Sequence, residues 1–301
     1  MNKKILCLVM VTTLVVALSA CSQKAEIEEY DKEMDINGFN ALDGEYEQIN
    51  DDVNKRVIKA QVLEDDFLGF VERHDNKSFE EIITDYYLRE YNDIVFSEKD
   101  IEIIKKIEHE LMNKYMNVVT EMTGDWQLEE YQATSTLEDS KFNYSINNLQ
   151  KLDYFSSWVE GKENYGIGER IIINSLSPCY CMGGADPQVC VDKAPEYYQG
   201  NLTGIFIVNG YATSEELYQK NSRVKKLKLM IDDKVEYILE LEDTMQPQVF
   251  DIEYMQEPNS DELKPIKTEF EILEVYEGDK YSDTALTVLQ VNCESNVGHG
   301  R

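Results

Sequence analysis

Between Gly204 and Arg223 the chain gathers side chains suited to holding a polar ligand by contact. Tyr211 and Tyr218 offer flat aromatic faces, Asn221 an amide that both donates and accepts, and Arg223 a fixed fork of donors. Reactive chemistry has less to work with. The three histidines, His74, His109 and His299, lie far apart in sequence, and none has a serine or cysteine partner in a triad setting. His74 and His109 also lack a second ligand at a metal spacing. Glu160 and Glu169 are two carboxylates that could flank a glycosidic bond. The loop chemistry therefore favours binding over catalysis.

The elements around this loop can be read from period and turn chemistry. Ile205 to Val208 is a β-branched and aromatic run, the pattern of a buried strand. Asn209-Gly210 ends it, because glycine accepts positive φ without steric cost and asparagine tolerates it. Val224 to Ile231 returns as a second strand, with Leu227, Leu229 and Ile231 alternating against Lys226 and Lys228. Val235, Tyr237, Leu239 and Leu241 alternate in the same way, and Asp232-Asp233 between the runs predicts a hairpin turn. Further strands are expected at 170–174, 249–252, 269–276 and 284–292. Period two with polar outer residues predicts antiparallel sheets packed face to face, a β-sandwich of the jelly-roll kind. A strand that hands over to a polar, aromatic loop is how such a scaffold presents a binding surface. The same spacing also fits a hairpin whose tyrosines only cover the end of the core.

The wording of the loop carries more. Asn209-Gly-Tyr-Ala212, Leu217-Tyr218, Asn221 and Arg223-Val-Lys225 resemble the NADase-type glycan-binding domain, a branch of the discoidin-like (F5/8 type C, galactose-binding-like) modules. Upstream, Ala133 to Leu137, Trp158-Val-Glu-Gly161 and Gly166-Ile-Gly-Glu169 are similar to that family's opening strands. Downstream, Val275-Tyr276, Gly278, Lys280-Tyr281 and Asp283 to Leu286 are similar to its closing segment. The resemblance covers about residues 131–292 and implies a carbohydrate-binding, non-catalytic module. It implies that ligand is held by Trp158, Glu160, Tyr211, Tyr218, Asn221, Arg223, Lys280, Tyr281 and Asp283. It also counts against Glu160 and Glu169 as a catalytic pair, since both sit in motifs of a binding module. Neither a metal nor a cofactor is expected, and the catalytic domain that such modules accompany in NAD glycohydrolases has no counterpart here.

Cysteine use speaks to compartment. Cys179, Cys181 and Cys190 lie in one loop, and Cys293 stands after the last strand. In an exported chain four cysteines predict two disulfides, with one of Cys179 and Cys181 joined to Cys190 and the other to Cys293. A four-thiolate metal site is the alternative, although its C-x-C opening departs from the usual knuckle. Met1 to Lys4 is a basic start, Ile5 to Leu18 an apolar stretch, and Leu18-Ser-Ala-Cys21 resembles a bacterial lipobox. That predicts a signal peptide over 1–20 and lipid on Cys21, anchoring the protein on the extracytoplasmic face of the membrane.

Residues 21–47 are acidic and show no sustained apolar period, which predicts an extended tether. Residues 48–125 read as a helical domain. Val53, Val57, Ala60, Phe67 and Val71 recur at helical spacing, Ser78-Phe-Glu-Glu81 is a capping box, and Ser97 opens a run to Met122. An antiparallel bundle is expected there, followed by the all-β module at 131–293, in a multidomain α + β chain. The formal net charge of −30 excludes nucleic acid as a partner. The partner expected is a glycan or another envelope ligand. The alternative is a protein-docking or translocation-helper module that binds no glycan.

Overall fold

A computed structural model describes residues 56–112, 114–116, 128–176, 200–257 and 264–295. Eleven strands carry the architecture: β1 (Arg56–Lys59), β2 (Gln61–Val62), β3 (Leu128–Ala133), β4 (Trp158–Val159), β5 (Arg170–Leu176), β6 (Gly200–Asn209), β7 (Ser222–Ile231), β8 (Val235–Glu240), β9 (Gln248–Met255), β10 (Ile266–Tyr276) and β11 (Thr284–Ser295). One layer runs β2-β9-β6-β11, with β4 on the far end of β11. The other runs β3-β5-β10-β7-β8-β1. They join at one corner, where Thr284 and Ala285 run parallel to Ser222 and Arg223. Between them lies a core that includes Ile205, Ile207, Phe250, Leu289 and Val291 from the first layer. Ile171, Ile173, Leu227, Leu229, Phe270 and Ile272 face them from the second. The fold is the expected discoidin-like β-sandwich in a mixed α + β chain.

The alternation read in β7 is what the layers need. Leu227, Leu229 and Ile231 are buried, while the outward Lys226 and Lys228 pair with Glu240, Glu274 and Glu271 of the neighbouring strands. The Asp232-Asp233 turn has φ of +49° and +56°, and Lys234 N donates to Ile231 O at 2.9 Å, closing the expected hairpin. β6 departs from alternation because both its faces are covered. Ile205 and Ile207 face the sandwich core, and Phe206 and Val208 face the helices.

Those helices are α1 (Phe67–Arg73), α2 (Phe79–Tyr87), α3 (Arg89–Asn92) and α4 (Glu98–Lys106), the last continuing into a π-helical turn, Ile107–Leu111. Ser78 and Glu81 form the expected capping box, and Ser97 caps α4 through Asp100 N at 3.1 Å. The bundle is not formed as expected. The apolar faces of α1, α2 and α4 meet Phe206, Val208, Val249 and Val288 on the outer face of the first layer. Helical cover and sandwich accordingly share one apolar interior among the described residues. Where Val57 and Ala60 suggested a helix, β1 and β2 form instead. A short β-branched run beside the open edges of β8 and β9 gains ladder bonds there, which outweigh the helical spacing of Val57 and Ala60. Gly204 lets the cover approach: a Cβ there would lie 2.4 Å from Lys114 O. Among the described residues no helix is long and apolar enough to cross a membrane. The signal peptide, Cys21 and the tether lie outside the described residues.

Candidate functional site

The end of β6, the start of β7, the β10–β11 loop and the segment after β3 meet at one rim of the sandwich. Buried Asn209 fixes the corner: its Nδ2 donates to Val224 O at 2.7 Å, and its Oδ1 accepts from Gly210 N and Val224 N at 2.9 and 3.1 Å. Thr287 works from the other side. Its hydroxyl donates to Gly210 O at 2.7 Å and accepts from Ala212 N at 3.0 Å. Both backbone neighbours of Tyr211 are thus tied down, and the ring stands at the rim on a fixed stem. The 277–283 loop rests on the end of α5 (Glu215–Lys220): Asp279 N donates to Gln219 O, and Tyr281 N to Lys220 O.

Five of the nine expected ligand residues turn out to hold this rim together. Trp158 is fully buried, its indole N–H directed at Ser135 O and Thr136 Oγ1, both at 3.2 Å, so it has no face for a sugar. Glu160 is also fully buried, and its carboxylate accepts from Lys162 N at 2.5 Å and Thr284 N at 3.3 Å. Burial pushes that carboxyl up, against the two backbone N–H groups that hold it down. Tyr218 is turned inward, its hydroxyl donating to Asp243 at 2.9 Å. Arg223 spans Asp243 with two bonds and lies 5.1 Å over the Tyr218 ring. Asn221 donates to Leu217 O at 2.8 Å and closes α5. In each case a buried polar group is matched to backbone or to a charged partner nearby. All five side chains are thus engaged by partners within the protein.

The other four, Tyr211, Lys280, Tyr281 and Asp283, do reach the surface. Lys280 Nζ sits 4.6 Å over the Tyr281 ring, and Tyr281 is 39 % exposed. Asp283 makes no side-chain hydrogen bond or ion pair among the described residues. Two residues that sequence reasoning passed over complete the group. Tyr144 meets Tyr211 edge-on at 6.2 Å, and Phe142, 59 % exposed, lies beside Tyr144 at 6.2 Å and 28°. Burial pushes the Tyr144 phenol up, and the nearby Tyr211, Asp139, Asp283 and Tyr281 add to it through charge. Their turn is built by short side chains. Asp139 Oδ1 accepts from Lys141 N and Phe142 N at 2.7 and 3.2 Å, Asn143 Oδ1 from Ser145 N at 3.0 Å, and buried Asn148 holds Asn143 O at 2.8 Å. The signal was present in Lys141-Phe-Asn-Tyr-Ser145, two aromatics inside a polar turn that follows a strand. The site is thus an aromatic shelf of Phe142, Tyr144, Tyr211 and Tyr281, edged by Asp139, Asp283 and Lys280.

Elsewhere the expectations fare differently. His74 is packed between Phe70 and Phe96, 3.5 Å from Asp100, while His109 is exposed. Glu169 accepts from Thr134 Oγ1 at 2.7 Å. Cys293 is buried and makes no disulfide among the described residues; its expected partners Cys179 and Cys181 lie outside them, as does Cys190.

Residues 196–292 match the family model of the NAD glycohydrolase translocation F5/8 type C domain, so this part of the chain is a discoidin-like module. The match takes in the shelf residues Tyr211 and Tyr281; Phe142, Tyr144 and the motifs around Ala133, Trp158 and Gly166 lie upstream of it. No curated protein matches the chain. Among solved structures, the mycobacterial arabinofuranosyltransferase AftD is similar over 57 % of this chain and 12 % of its own, at 12 % identity and a TM-score of 0.34. CpGH89CBM32-5 from Clostridium perfringens, solved with GalNAc-β-1,3-galactose, is similar over 54 % of this chain and 94 % of its own, at 14 % identity and a TM-score of 0.31. At those TM-scores neither likeness bears on the ligand.

Proposed function

We propose that this F5/8 type C module is a non-catalytic carbohydrate-binding domain and that the sugar is taken by the shelf of Phe142, Tyr144, Tyr211 and Tyr281. The observation that carries the reading is the rigid presentation of exposed aromatic faces at one rim. A sugar ring has an apolar face that stacks on an aromatic ring, and hydroxyls that need fixed partners. Asp283 and Asp139 supply acceptors, and Lys280 a donor. A single open shelf buries little area, so affinity for one sugar unit is weak. The exported chain is anchored, in the same proposal, by lipid on Cys21 at the extracytoplasmic face of the membrane, with residues 21–47 as its tether.

One observation favours a second reading. Tyr87, Tyr91 and Val95 on and after α2 and α3 are 43, 64 and 90 % exposed, an apolar patch on the helical cover suited to a protein partner. A glycan array on the exported chain, followed by calorimetry on its hits, separates the two. Phe142→Ala with Tyr211→Ala removes glycan binding at unchanged melting temperature if the shelf is the site. Binding that survives this pair, or an array with no hits beside envelope-protein capture lost in Tyr87→Ala with Tyr91→Ala, favours the docking reading.

A further inference from the structure

The proposal that follows rests on the shelf being a sugar site and concerns which sugars it takes. The three loops that form the rim, 134–145, 210–221 and 277–283, hold seven carboxylates: Glu138, Asp139, Glu215, Glu216, Glu277, Asp279 and Asp283. Against them stand three lysines, Lys141, Lys220 and Lys280. Two of those lysines are engaged, Lys220 by Glu216 and Lys280 by the face of Tyr281. Arg223, just beyond the loops, is neutralised by Asp243. Asp139 sits directly beneath the shelf, its Oδ1 accepting from Phe142 N at 3.2 Å, and Asp283 lies two residues after Tyr281, its backbone O accepting from Ser222 N, so a carboxylate flanks each end of the aromatic group. An aromatic face attracts a cation through its quadrupole, and carboxylates at its edge add to that attraction. Tyr281 already holds an ammonium, that of Lys280, in this manner.

We propose that the shelf selects sugars bearing a free amine, such as de-N-acetylated hexosamines, and rejects acidic sugars. An ammonium on the ring carbon next to a stacked face would meet Asp283 or Asp139 while the ring covers Tyr144 or Tyr211. N-acetylation removes that charge, and a uronic acid reverses it. The sign of the ligand is thereby set by side chains that the stacking itself does not need.

The test is calorimetry of the whole exported chain with three oligosaccharides of equal length: glucosamine, N-acetylglucosamine and galacturonic acid oligomers. Mildly acidic buffer keeps the amine protonated. The glucosamine oligomer is expected to bind on the order of tenfold tighter than its N-acetylated counterpart. The advantage should shrink as salt is raised and collapse in Asp139→Asn with Asp283→Asn. Asparagine keeps the Oδ1 acceptor that shapes the 139–142 turn, and the melting temperature checks that the pair still folds. Glu90→Gln, an exposed charge on α3, should change nothing. Galacturonate bound as tightly as glucosamine, or a preference intact in the double variant, overturns the inference and leaves sugar binding standing. Glucosamine binding untouched by Tyr211→Ala reduces the effect to general attraction of a polycation and also overturns it. If none of the three oligomers binds, the sugar-binding reading falls and this one with it.

Discussion

Arg223 grips Asp243 with two parallel bonds, Nε to Oδ1 at 3.0 Å and Nη2 to Oδ2 at 2.6 Å, while its Nη1 donates to the carbonyls of Asn221 and Glu277 at 3.2 and 3.1 Å. One guanidinium therefore ties β7, the β8–β9 loop and the β10–β11 loop together, with the Tyr218 hydroxyl on the same carboxylate. Arg223→Ala leaves Asp243 without its counter-charge and two carbonyls without donors. A loss of about 2–3 kcal/mol is expected, below the range for a fully buried pair because the Asp243 side chain is 37 % exposed. Denaturant unfolding measures it. An unchanged midpoint together with lost ligand affinity would return Arg223 to the list of contacts.

Gly210 has φ of +68°, and a Cβ on it would lie 2.6 Å from Arg223 Cγ and from the Tyr218 ring. Both neighbours are buried and held by Asp243, so neither can step aside cheaply. Gly210→Ala should cost about 2–4 kcal/mol from backbone strain and overpacking together. Ligand affinity should fall as well, because Tyr211 is the next residue. Thermal unfolding and calorimetry on this one variant read both effects. A stable variant with normal affinity would show that the stem of Tyr211 is not rigid.

The carboxyl of Glu129 lies beside Tyr131, Ser175 and Cys293, and burial pushes it up to about 7. An unfolded glutamate titrates near 4.3. A raised value means the folded state holds the proton more tightly, so this contribution to stability is complete below about pH 4 and is lost as pH climbs through about 7. Relative to the wild type, Glu129→Gln should gain up to about 3 kcal/mol between those limits and stay ahead above them. A contrary trend operates in acid. Burial raises the Asp100 and Asp251 carboxyls, but Arg73 and Ser97 on the first, and Lys114 and Tyr115 on the second, outweigh it and hold both below the ordinary range. Their stabilisation is present above about pH 4 and fades as pH falls further. Melting curves across pH for the wild type and the variant separate the two windows. Parallel curves from pH 4 to 8 would remove Glu129 from the account.

Cys21→Ser is expected to abolish lipid labelling and either release the protein or leave it unprocessed. Fractionation after metabolic labelling reads the outcome. Normal processing with full membrane retention would sink the lipid anchor.

Much of the sandwich was legible because a two-residue period survives wherever one face of a strand meets water, as in Leu227 to Ile231. β6 was found only in part, at Ile205 to Val208, since its earlier residues alternate too weakly to announce a ten-residue strand. β1 and β2 were illegible for another reason: their pairing depends on strands almost two hundred residues away. At the site, sequence named loops that the fold brings to one rim, without showing which of their side chains are already engaged. Residue type shows that Tyr218 and Arg223 can bind something, but not that Asp243 is already what they bind. Phe142 and Tyr144 were passed over because no regular element marks their turn; only the fold brings that turn beside Tyr211.

The helices lie on the first layer the way a rind lies on fruit, and this limits where the chain can be cut. A fragment beginning at residue 131 would keep every strand from β4 to β11 and yet present Phe206, Val208, Val249 and Val288 bare to water, a contiguous sticky field where a smooth outer wall is needed. It would also leave the outer edges of β8 and β9 without β1 and β2. The rim therefore does not travel as a cassette. Any transplant of it onto another protein must carry the chain from Arg56 onward.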